Sequence, residues 1–467
     1  MIILKKFLLL TLALGSIQAF AQTKKQNTSS KPNIIFILAD DLGYGDVSCF
    51  GSQNIETPNI DALAAQGMRL TRFYAGSAVC SPSRASMLTG RYPLRFDIRR
   101  HFNDNDEHLP SGVVTLPHLL KKAGYTTAHI GKWHLGGLKE TQVNNRSNGI
   151  KEIPGPLQHG FDYYLADIED EIRAKLITER RLYRDGGQYL ISNDKRMPTQ
   201  EGHWDAIKMD ELLRLMNQYH QEQKPFYINL WFDAPHTPYE PAPEPYLAQF
   251  KKMGATGDAL YHHSMVYHMD AQIGRLLARV KQLGIADNTL IVFTSDNGPA
   301  WEGSPGPFKG GKTDLHEGGL RVPFIAVWPG KILPGKLSFQ DGHIADLLPT
   351  FCEAVGISIT KVPLDGISLL PVFTKNATLP ERTLLWQMDV YKQLQRHYEK
   401  PKPYASTIAK HGKWKLLADG EVPVELFDLE NDPMEIKNLL GSQPAIEAKL
   451  ATAIKNFLQA PRQTRDE

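Results

Sequence analysis

The sequence predicts an α/β protein. A large domain with a mostly parallel central sheet flanked by helices is followed by a small antiparallel sheet with one covering helix. Two observations lead to this fold class. Between residues 33 and 355, apolar runs of strand length alternate with stretches of helical periodicity. After residue 373, the apolar runs become shorter, turn signals separate them, and the chain ends in an amphipathic segment.

Five apolar runs provide the predicted strands of the large domain, and each is apolar enough to be buried on both faces. They are residues 34–39, 125–130, 226–232, 290–294 and 322–328. The helices predicted around them are residues 59–67, 115–123, 205–220, 258–283 and 343–355. This alternation favours parallel strands, because a helix between two strands returns the chain to the same edge of the sheet.

The domain boundaries are predicted at residues 31–373 for the large domain and 374–467 for the small one. The strands of the small domain are expected at residues 383–388, 405–410, 413–417 and 426–429. His411-Gly412 separates two of these runs and predicts a hairpin turn. Apolar residues then share one face of a terminal helix: Ile446, Leu450, Ile454, Phe457 and Leu458.

Residues 1–21 have the three parts of a secretory signal peptide. The parts are a basic start (Lys5, Lys6), an apolar run (residues 7–14) and a cleavage site (Ala19-Phe20-Ala21). The apolar run is too short for stable membrane insertion. Because the first cysteine is Cys49, no lipid-anchored cysteine is expected after cleavage. We therefore expect a secreted or periplasmic protein with a short disordered leader at residues 22–30.

Bulk charge gives no reason to expect a nucleic-acid partner. The chain has 53 Lys and Arg against 51 Asp and Glu, and removal of residues 1–21 takes away two lysines, which makes the counts equal. Only three cysteines are present, so a framework of several disulfides is excluded. Apart from Cys80, only Cys49 and Cys352 remain. We expect two buried thiols there, with a single disulfide as the alternative.

Chemically useful side chains follow four of the predicted strands, at the point where each strand ends. In chain order these are Asp40 and Asp41, Lys132 and His134, His236, and Asp296 and Asn297. The carboxyl ends of parallel strands share one edge of a sheet, and ligands of open α/β sheets bind beyond that edge. We therefore expect these side chains to form one site.

The acidic members of this set predict a metal site. Asp40, Asp41 and Asp296 offer three carboxylates, and Asn297 offers an amide oxygen. Hard oxygen ligands suit Ca²⁺ or Mg²⁺, whereas zinc prefers histidine and cysteine. For the Asp40-Asp41 pair taken alone, a helix cap or a turn is the alternative interpretation.

The basic members predict an anion site. Arg84, Lys132, His134, His236 and Lys312 together offer several donors to a tetrahedral anion, and Arg84 adds the fixed fork of a guanidinium. Taken alone, each of these residues also has a non-functional interpretation: a solvated lysine, a loop histidine or an arginine on a helix surface.

A specific pattern surrounds Cys80, which reads Cys80-Ser81-Pro82-Ser83-Arg84 and is followed by Thr89-Gly90. A lone cysteine at a short helix would be interpreted as a structural thiol. The whole pattern resembles the maturation and active-site signature of the type I, formylglycine-dependent sulfatases. These are arylsulfatase-like members of the alkaline phosphatase superfamily. The resemblance extends over nearly the entire chain after residue 30, and it implies an alkaline-phosphatase-like large domain.

The resemblance implies that a separate maturation enzyme converts Cys80 to formylglycine. One oxygen of the formylglycine hydrate would then ligate a single Ca²⁺ or Mg²⁺ ion per chain. The other ligands implied are Asp40, Asp41, Asp296 and Asn297. By the same resemblance, Asp296 is also a candidate to take the proton of the nucleophile. Some members of the family place a serine on the sulfate shortly after a His-Gly-Phe segment, here His159-Gly160-Phe161, but residues 165–168 offer none.

The basic residues also receive roles from the resemblance. Arg84 and Lys132 match residues that hold the hydrate, and Lys132 and Lys312 match residues that hold the sulfate oxygens. His236 matches the group near the leaving oxygen, which makes it the candidate general acid. His134 matches the group that deprotonates the second hydroxyl to release sulfate.

The predicted function is hydrolysis of sulfate esters on carbohydrate, such as fragments of glycosaminoglycans or algal polysaccharides. Loop residues are the candidates for contact with the sugar, with a solvated loop as the alternative for each: Arg99, Arg100, His101, Trp301 and Glu302. One alternative function is a phosphonate or phosphodiester hydrolase of the same superfamily. Another is a glycan-binding protein on an inactive enzyme scaffold, but no residue of the matched catalytic set is missing.

Overall fold

The most apolar runs of the chain form the centre of one large sheet. The computed structural model describes residues 31–102, 107–149, 153–169, 171–389 and 405–463, so the predicted signal peptide and leader lie outside the described residues. In chain order the strands are β1 (Asn33–Ala39), β2 (Met68–Leu70), β3 (Phe73–Tyr74), β4 (Thr126–Gly131), β5 (Tyr163–Asp167), β6 (Leu190–Ser192), β7 (Lys195–Arg196), β8 (Phe226–Trp231), β9 (Thr289–Ser295), β10 (Arg321–Val322), β11 (Phe324–Val327), β12 (Lys336–Ser338), β13 (Gly342–His343), β14 (Thr383–Gln387), β15 (Thr407–His411), β16 (Trp414–Asp419) and β17 (Val422–Asp428).

The helices cover both faces of that sheet and the C-terminal part of the chain. In chain order they are α1 (Pro58–Gln66), α2 (Cys80–Thr89), α3 (Leu116–Lys122), α4 (Glu140–Ser147), α5 (Glu171–Thr178), α6 (Leu182–Asp185), α7 (Trp204–Gln221), α8 (Glu244–Lys252), α9 (Gly257–Gln282), α10 (Glu317–Leu320), α11 (Leu347–Ala354), α12 (Leu370–Lys375) and α13 (Pro444–Gln459). All five helices predicted for the large domain are present, with ends shifted by a few residues.

The large sheet has the order β12-β2-β11-β9-β1-β8-β4-β5-β6-β7. Its centre, β9-β1-β8-β4-β5, is parallel throughout. Antiparallel pairs extend it at both sides, where β11 joins β9 and β6 joins β5. The predicted α/β fold with a mostly parallel central sheet is confirmed.

Alternate residues of β1 enter two different cores, because successive side chains of a strand point to opposite faces. Ile34, Phe36 and Leu38 pack in the core that contains Phe351 of α11. Ile35 and Ile37, by contrast, pack in the core that contains residues of α7 and α9. Burial on both faces explains why the run is continuously apolar.

The structure differs from the prediction at residues 322–328, which do not form one strand. Pro323 separates β10 from β11. Proline has no N–H to donate to a ladder, so the chain changes partners there. β10 pairs with β3 in a three-stranded sheet, β10-β3-β13, and β11 runs antiparallel to β9.

The C-terminal part is a four-stranded antiparallel sheet, β14-β15-β16-β17, covered by α13. The predicted hairpin turn is confirmed, since His411 pairs with Trp414 across it. β17 begins at Val422, earlier than predicted. Leu450, Ile454 and Phe457 of α13 are buried.

The small sheet and the large domain share apolar contacts. Trp386 of β14 packs in one core with Tyr74 and with Val79, the residue directly before α2. Trp386 Nε1 also donates to Ala75 O at 2.8 Å. From Pro32 onward the described residues belong to one compact unit, and the boundary at residue 373 stays a prediction. All three cysteine thiols are free. Within the described ranges, no helix is both long and apolar enough to cross a membrane.

Candidate active site

The predicted site residues meet at the carboxyl edge of the parallel strands. β9, β1, β8 and β4 are neighbours in that order, so the segments that follow them emerge side by side. Asp40 follows β1, Lys132 follows β4, His236 lies a few residues after β8, and Asp296 follows β9. The backbone ties the edge together, because Asp40 N donates to Ala234 O and Lys132 N donates to Trp231 O, both at 3.1 Å.

Glycine is required where β4 turns toward the site. Gly131 has φ +109°, and a Cβ there would lie 1.8 Å from Trp231 O. Any larger residue would push β4 away from β8, and Lys132 with it.

Cys80 is held between a carboxylate and a lysine. It is the first residue of α2 and is buried. Its Sγ lies 3.4 Å from Asp40 Oδ1 and 3.8 Å from Lys132 Nζ. Lys132 Nζ in turn lies 2.5 Å from Asp40 Oδ2. The cysteine of the signature and the first aspartate of the predicted metal set are therefore in direct contact.

Arg84, one helical turn after Cys80, makes a bidentate pair with Asp296. Its Nε and Nη2 donate to Asp296 Oδ2 at 3.0 and 2.8 Å, and its Nη1 donates to Lys132 O at 2.7 Å. Arg84 and Asp296 are both fully buried. The guanidinium thus fixes α2 to the ends of β9 and β4, a geometry that lysine cannot reproduce.

Asp41, Lys312 and His236 form the other side of the site. Lys312 Nζ donates to Asp41 Oδ2 at 2.7 Å and lies 3.1 Å from His236 Nε2. Asn297 Nδ2 donates to Asp41 Oδ1 at 2.7 Å. Asp41 has φ +63°, a left-handed conformation that turns its side chain away from the line of β1.

Close backbone packing positions Lys312. Its N donates to Pro299 O at 2.8 Å, and the next residue, Thr313, donates to Ala78 O at 2.9 Å, two residues before Cys80. A Cβ at Gly319 would lie 1.8 Å from Asp314 O, so only glycine allows the chain to fold back on this loop.

Burial and neighbouring charges shift the pKa values of two aspartates in opposite directions. Burial acts to raise the pKa of Asp40, but the charges of Lys132, His236 and Arg84 outweigh it and hold that pKa well below its usual value. Burial and the charge of Asp40 raise the pKa of Asp296 to about 7, although Arg84 opposes them. The ionised form of Asp40 is thus stabilised, whereas Asp296 is more easily protonated.

The pKa of Cys80 is also raised, by burial first and by the charge of Asp40 next. An unmodified thiol at this place is therefore protonated and a weak nucleophile. Burial, with the charges of Lys132 and Lys312, lowers the pKa of His236 to about 3.

His134 lies at the pocket wall with φ +56°. Its backbone N donates to Glu169 Oε1 at 2.5 Å, and its Nε2 lies 3.1 Å from Phe102 O. Burial, followed by the charge of Lys132, holds the pKa of His134 well below its usual value. Burial and the charge of Asp167 raise the pKa of Glu169 to about 7.

A possible metal-binding group is present in this site. Asp40, Asp41, Cys80 and His236 each offer one ligand atom, and these atoms lie within 4.8 Å of one another. Asn297 Oδ1 is buried and accepts no hydrogen bond from the described residues. Asp296, also in the predicted ligand set, pairs with Arg84 through Oδ2 and accepts from Asp41 N through Oδ1 at 3.2 Å.

A pocket of about 430 Å³ opens over Cys80. Of the predicted residues, Cys80, His101, Lys132, His134, His236 and Lys312 line it. Glu169 and Arg173 also line it and were not predicted. Glu169 follows β5, at the same carboxyl edge as the others, so the strand-end pattern contained a signal for it.

The other predicted sugar contacts are dispersed. Trp301 is 62% exposed and lines an adjoining pocket of about 500 Å³, which shares His101 and Lys312 with the first. Glu302 is exposed and lines neither pocket.

Two of the predicted sugar contacts, both arginines, lie apart from Cys80. Arg99 pairs with Asp97 and Asp389, each at 3.2 Å, and Arg100 pairs with Glu107 at 3.2 Å. Both arginines line a smaller pocket that shares Phe102 and Glu107 with the pocket over Cys80. Their charges are therefore matched by acidic neighbours, a pairing that the sequence pattern did not indicate.

Comparisons with known proteins agree with this geometry. Residues 32–357 match the family model described as Sulfatase, and residues 311–463 match the model described as N-sulphoglucosamine sulphohydrolase, C-terminal. The chain is 36% identical over 369 residues to the N-acetylgalactosamine-6-sulfatase of Rattus norvegicus, a match that covers 73% of this chain and 65% of the rat protein. It is 31% identical to arylsulfatase A of Homo sapiens, which covers 91% of this chain and 87% of the human one.

A solved structure shares the fold at full length. The crystal structure of Ps i-CgsB in complex with k-i-k-neocarrahexaose has a TM-score of 0.77 and 28% sequence identity, and it covers 92% of this chain and 93% of its own. The named relatives are sulfatases, that is, sulfuric ester hydrolases. With the family model matched over residues 32–357 and a full-length relative above 30% identity, this chain belongs to the sulfatase family.

Proposed function

We propose that this chain is an exported hydrolase of sulfate esters on carbohydrate, acting through formylglycine formed from Cys80 and one divalent cation, Ca²⁺ or Mg²⁺. The observation that carries the proposal is the position of Cys80. Its Sγ lies 3.4 Å from Asp40 and 3.8 Å from Lys132, in a pocket that histidines and lysines line.

The donor atoms of the site suit a hard cation. Asp40, Asp41, Asp296 and Asn297 would hold it, and the buried Asn297 Oδ1 is an oxygen that accepts no hydrogen bond from the described chain. A bound cation would supply positive charge to the sulfate oxygens and to the nucleophile. The ligand set is rich in oxygen, which favours Ca²⁺ or Mg²⁺ over zinc.

Modification explains why a buried cysteine occupies this position. Burial raises the pKa of the Cys80 thiol, so the thiol itself is a weak nucleophile. The hydrate of formylglycine supplies two hydroxyls on one carbon. One hydroxyl can attack sulfur, and the other can expel sulfate as the carbonyl re-forms. A separate maturation enzyme is required as a partner for this conversion.

The surrounding cations are proposed to hold the sulfate and to move protons. Lys132 and Lys312 would bind sulfate oxygens, and Arg84 would fix the nucleophile through its contacts with Asp296 and the Lys132 carbonyl. His236 faces the pocket beside Lys312. The negative charge of a bound sulfate ester would raise the pKa of His236 from about 3, so that it could donate a proton to the leaving sugar oxygen.

A proton also has to leave the second hydroxyl when sulfate is released. His134 lies on the pocket wall, and its Nδ1 has no hydrogen-bond partner within the described structure. We assign this deprotonation to His134.

The substrate is proposed to be a sulfated saccharide. Relatives are named for a sulfated amino sugar, and one neighbouring structure holds a neocarrahexaose. The pocket of about 430 Å³ over Cys80 suits one sulfated sugar ring. The adjoining pocket, with exposed Trp301 on its wall, would hold a second ring. Export rests on the signal peptide predicted at residues 1–21.

Sulfate release from defined saccharides tests the proposal. The chain is produced together with a formylglycine-generating enzyme, and released sulfate is measured on a panel that varies the sugar and the sulfate position. Phosphonate monoesters and phosphodiesters are assayed in parallel, with Cys80→Ala as the inactive control. Release from at least one sulfated saccharide is expected. Activity confined to the phosphorus compounds would move the assignment to the alternative hydrolase.

A further inference from the structure

A second cluster of metal-ligating side chains lies between helices α7 and α9. His203 directly precedes α7, Asp205 lies in its first turn, and His268 lies in the middle of α9. One ligand atom of each lies within 4.8 Å of the other two. Over the described residues, the only other group of this kind is the one that contains Asp40 and Cys80. We propose that His203, Asp205 and His268 bind a transition-metal dication such as Zn²⁺.

Several polar atoms of these three residues are buried close together without hydrogen-bond partners. Asp205 is fully buried, and neither of its carboxylate oxygens has a hydrogen-bond partner within the part of the chain described. The same holds for both ring nitrogens of His203 and for Nδ1 of His268. A buried polar group without a partner destabilises the folded state, and more so when it is charged. A metal ion would provide one shared partner for three of these five atoms, one from each residue.

The negative charge of Asp205 is not balanced by an ion pair with a neighbouring lysine. The nearest lysine, Lys208, lies one turn after Asp205, but its Nζ pairs with Asp233. Trp204 Nε1 also donates to Asp233, so Trp204 and Lys208 both bind Asp233 and not Asp205. Asp205 is left as a buried carboxylate with no hydrogen-bonded counter-charge, and His268 Nδ1 lies 3.9 Å from its Oδ2. A dication ligated by Asp205 supplies that counter-charge.

Aromatic contacts hold the imidazole rings of His203 and His268 in place. His203 and His268 pack edge to face with ring centroids 4.4 Å apart. Tyr183 stacks on His203 at 5.7 Å, and Tyr246 lies against His268 at 4.8 Å. Fixed rings reduce the entropy lost when a metal binds, as expected of a preformed site.

Gln272 completes the site as the outer partner of a ligand. Its side-chain Nε2 lies 2.9 Å from His268 Nε2, one helical turn further along α9. When a metal binds His268 Nδ1, a flip of this amide would turn Gln272 Oε1 toward the ring, so that His268 Nε2–H donates to it. Metal-bound histidines commonly have such a partner, and its loss weakens binding about 10–100-fold. Arg275, which now donates to Gln272 Oε1, retains Asp210 as its partner after this turn.

The chemistry of the ligands separates this site from the catalytic one. Two imidazoles and one carboxylate suit zinc and its neighbours in the first transition series, and three protein ligands leave a position for water. The predicted catalytic ligands are mainly oxygens, which suit Ca²⁺ or Mg²⁺. Excess Ca²⁺ can therefore fill the catalytic site while Zn²⁺ is offered to His203, Asp205 and His268.

Zinc retention by the full chain tests the proposal. The protein is stripped with a chelator, equilibrated with excess Ca²⁺, loaded with Zn²⁺, dialysed, and analysed by mass spectrometry of the metal content. Wild type is expected to retain about one zinc per chain, and His268→Gln and Asp205→Asn to lose at least about 10-fold in affinity. His262→Gln, a buried histidine of the same helix outside the cluster, is the matched control and should behave as wild type.

Substitutions at Gln272 keep the test decisive if a ligand variant fails to fold. Gln272→Glu should retain zinc as well as wild type or better, and Gln272→Leu should bind it about 10–100-fold more weakly. Co²⁺ in place of Zn²⁺ should give visible ligand-field absorption that disappears in His268→Gln. Absence of retained zinc in wild type, or equal retention by wild type and His268→Gln, would overturn the proposal.

Discussion

Replacement of Lys415 by methionine should destabilise the protein strongly, because Lys415 lies between two buried carboxylates. Its Nζ lies 3.0 Å from Glu317 Oε1 and 2.9 Å from Glu435 Oε1, and all three side chains are at most 1% exposed. This buried group joins β16 of the small sheet to α10, which follows the Lys312 loop. Removal of one partner of a buried ion pair costs about 3–5 kcal/mol.

The lower end of that range is expected for Lys415→Met. Glu317 would keep Arg321 at 3.4 Å and the hydroxyl of Tyr74 at 3.0 Å, so the uncompensated charge falls mainly on Glu435. Burial already raises the pKa of Glu435, although Lys415 opposes it. Protonation would neutralise Glu435 in the variant, so the loss of stability should shrink as the pH falls below neutrality.

Urea unfolding followed by tryptophan fluorescence measures this loss. Lys413→Met is the matched control, since Lys413 lies two residues away and its side chain is 38% exposed in its pair with Asp428 at 2.7 Å. The midpoint of the control should stay closer to that of wild type, because water and salt screen a pair whose lysine reaches solvent. Equal midpoints for Lys415→Met and wild type, or equal losses for both lysine variants, would contradict a stabilising role of the buried ion pairs of Lys415.

Three further predictions concern the site and its neighbours. His236→Asn should slow sulfate release from sugar substrates by about 10²–10⁴-fold, and less from aryl sulfates with good leaving groups; an equal loss on both would contradict a role as general acid. Arg84→Lys keeps the charge but not the fork that binds Asp296, so turnover should fall by about 10²-fold while the circular dichroism spectrum is retained; full activity would contradict that role. His316 lies 2.6 Å from Asp314 and 2.9 Å from Glu425. Burial acts to lower the pKa of His316, but these two carboxylates outweigh it and raise that pKa to about 9. Protonated His316 therefore adds about 3 kcal/mol of stability below pH 6.5, which is lost as the pH rises through 9. Thermal unfolding should show this decline in wild type and not in His316→Gln.

The central sheet and the meeting of the strand-end residues at one edge were predictable because both depend on local pattern. Apolar runs such as residues 34–39 and 290–294 became β1 and β9, since strands buried on both faces must be continuously apolar. Asp40 and Asp296 came together because parallel neighbours end at one edge. The proposed roles of these residues rest on the family resemblance, and the assays above test them.

Other features depend on partners that are distant in the sequence, and no local pattern reveals them. Arg99 pairs with Asp389, which is 290 residues away, so an acidic partner matches its charge and it does not line the pocket over Cys80. Because Pro323 has no N–H, a break within residues 322–328 could be expected from the sequence. The sequence did not indicate that β10 would pair with β3 and β11 with β9. Arg173 lines the pocket and is held there by Asp167, the last residue of β5, and by Asp233 at 3.3 Å.

Mass spectrometry of the peptide that contains Cys80 tests the proposed conversion of Cys80 to an aldehyde beside the carboxylates of Asp40 and Asp296. Active protein is purified from a host that supplies the maturation enzyme, and the tryptic peptide spanning residues 73–84 is analysed. We expect the thiol of Cys80 to be replaced by an aldehyde, in proportion to the sulfate-releasing activity of each preparation. A preparation that releases sulfate with Cys80 present only as the unmodified thiol would contradict it.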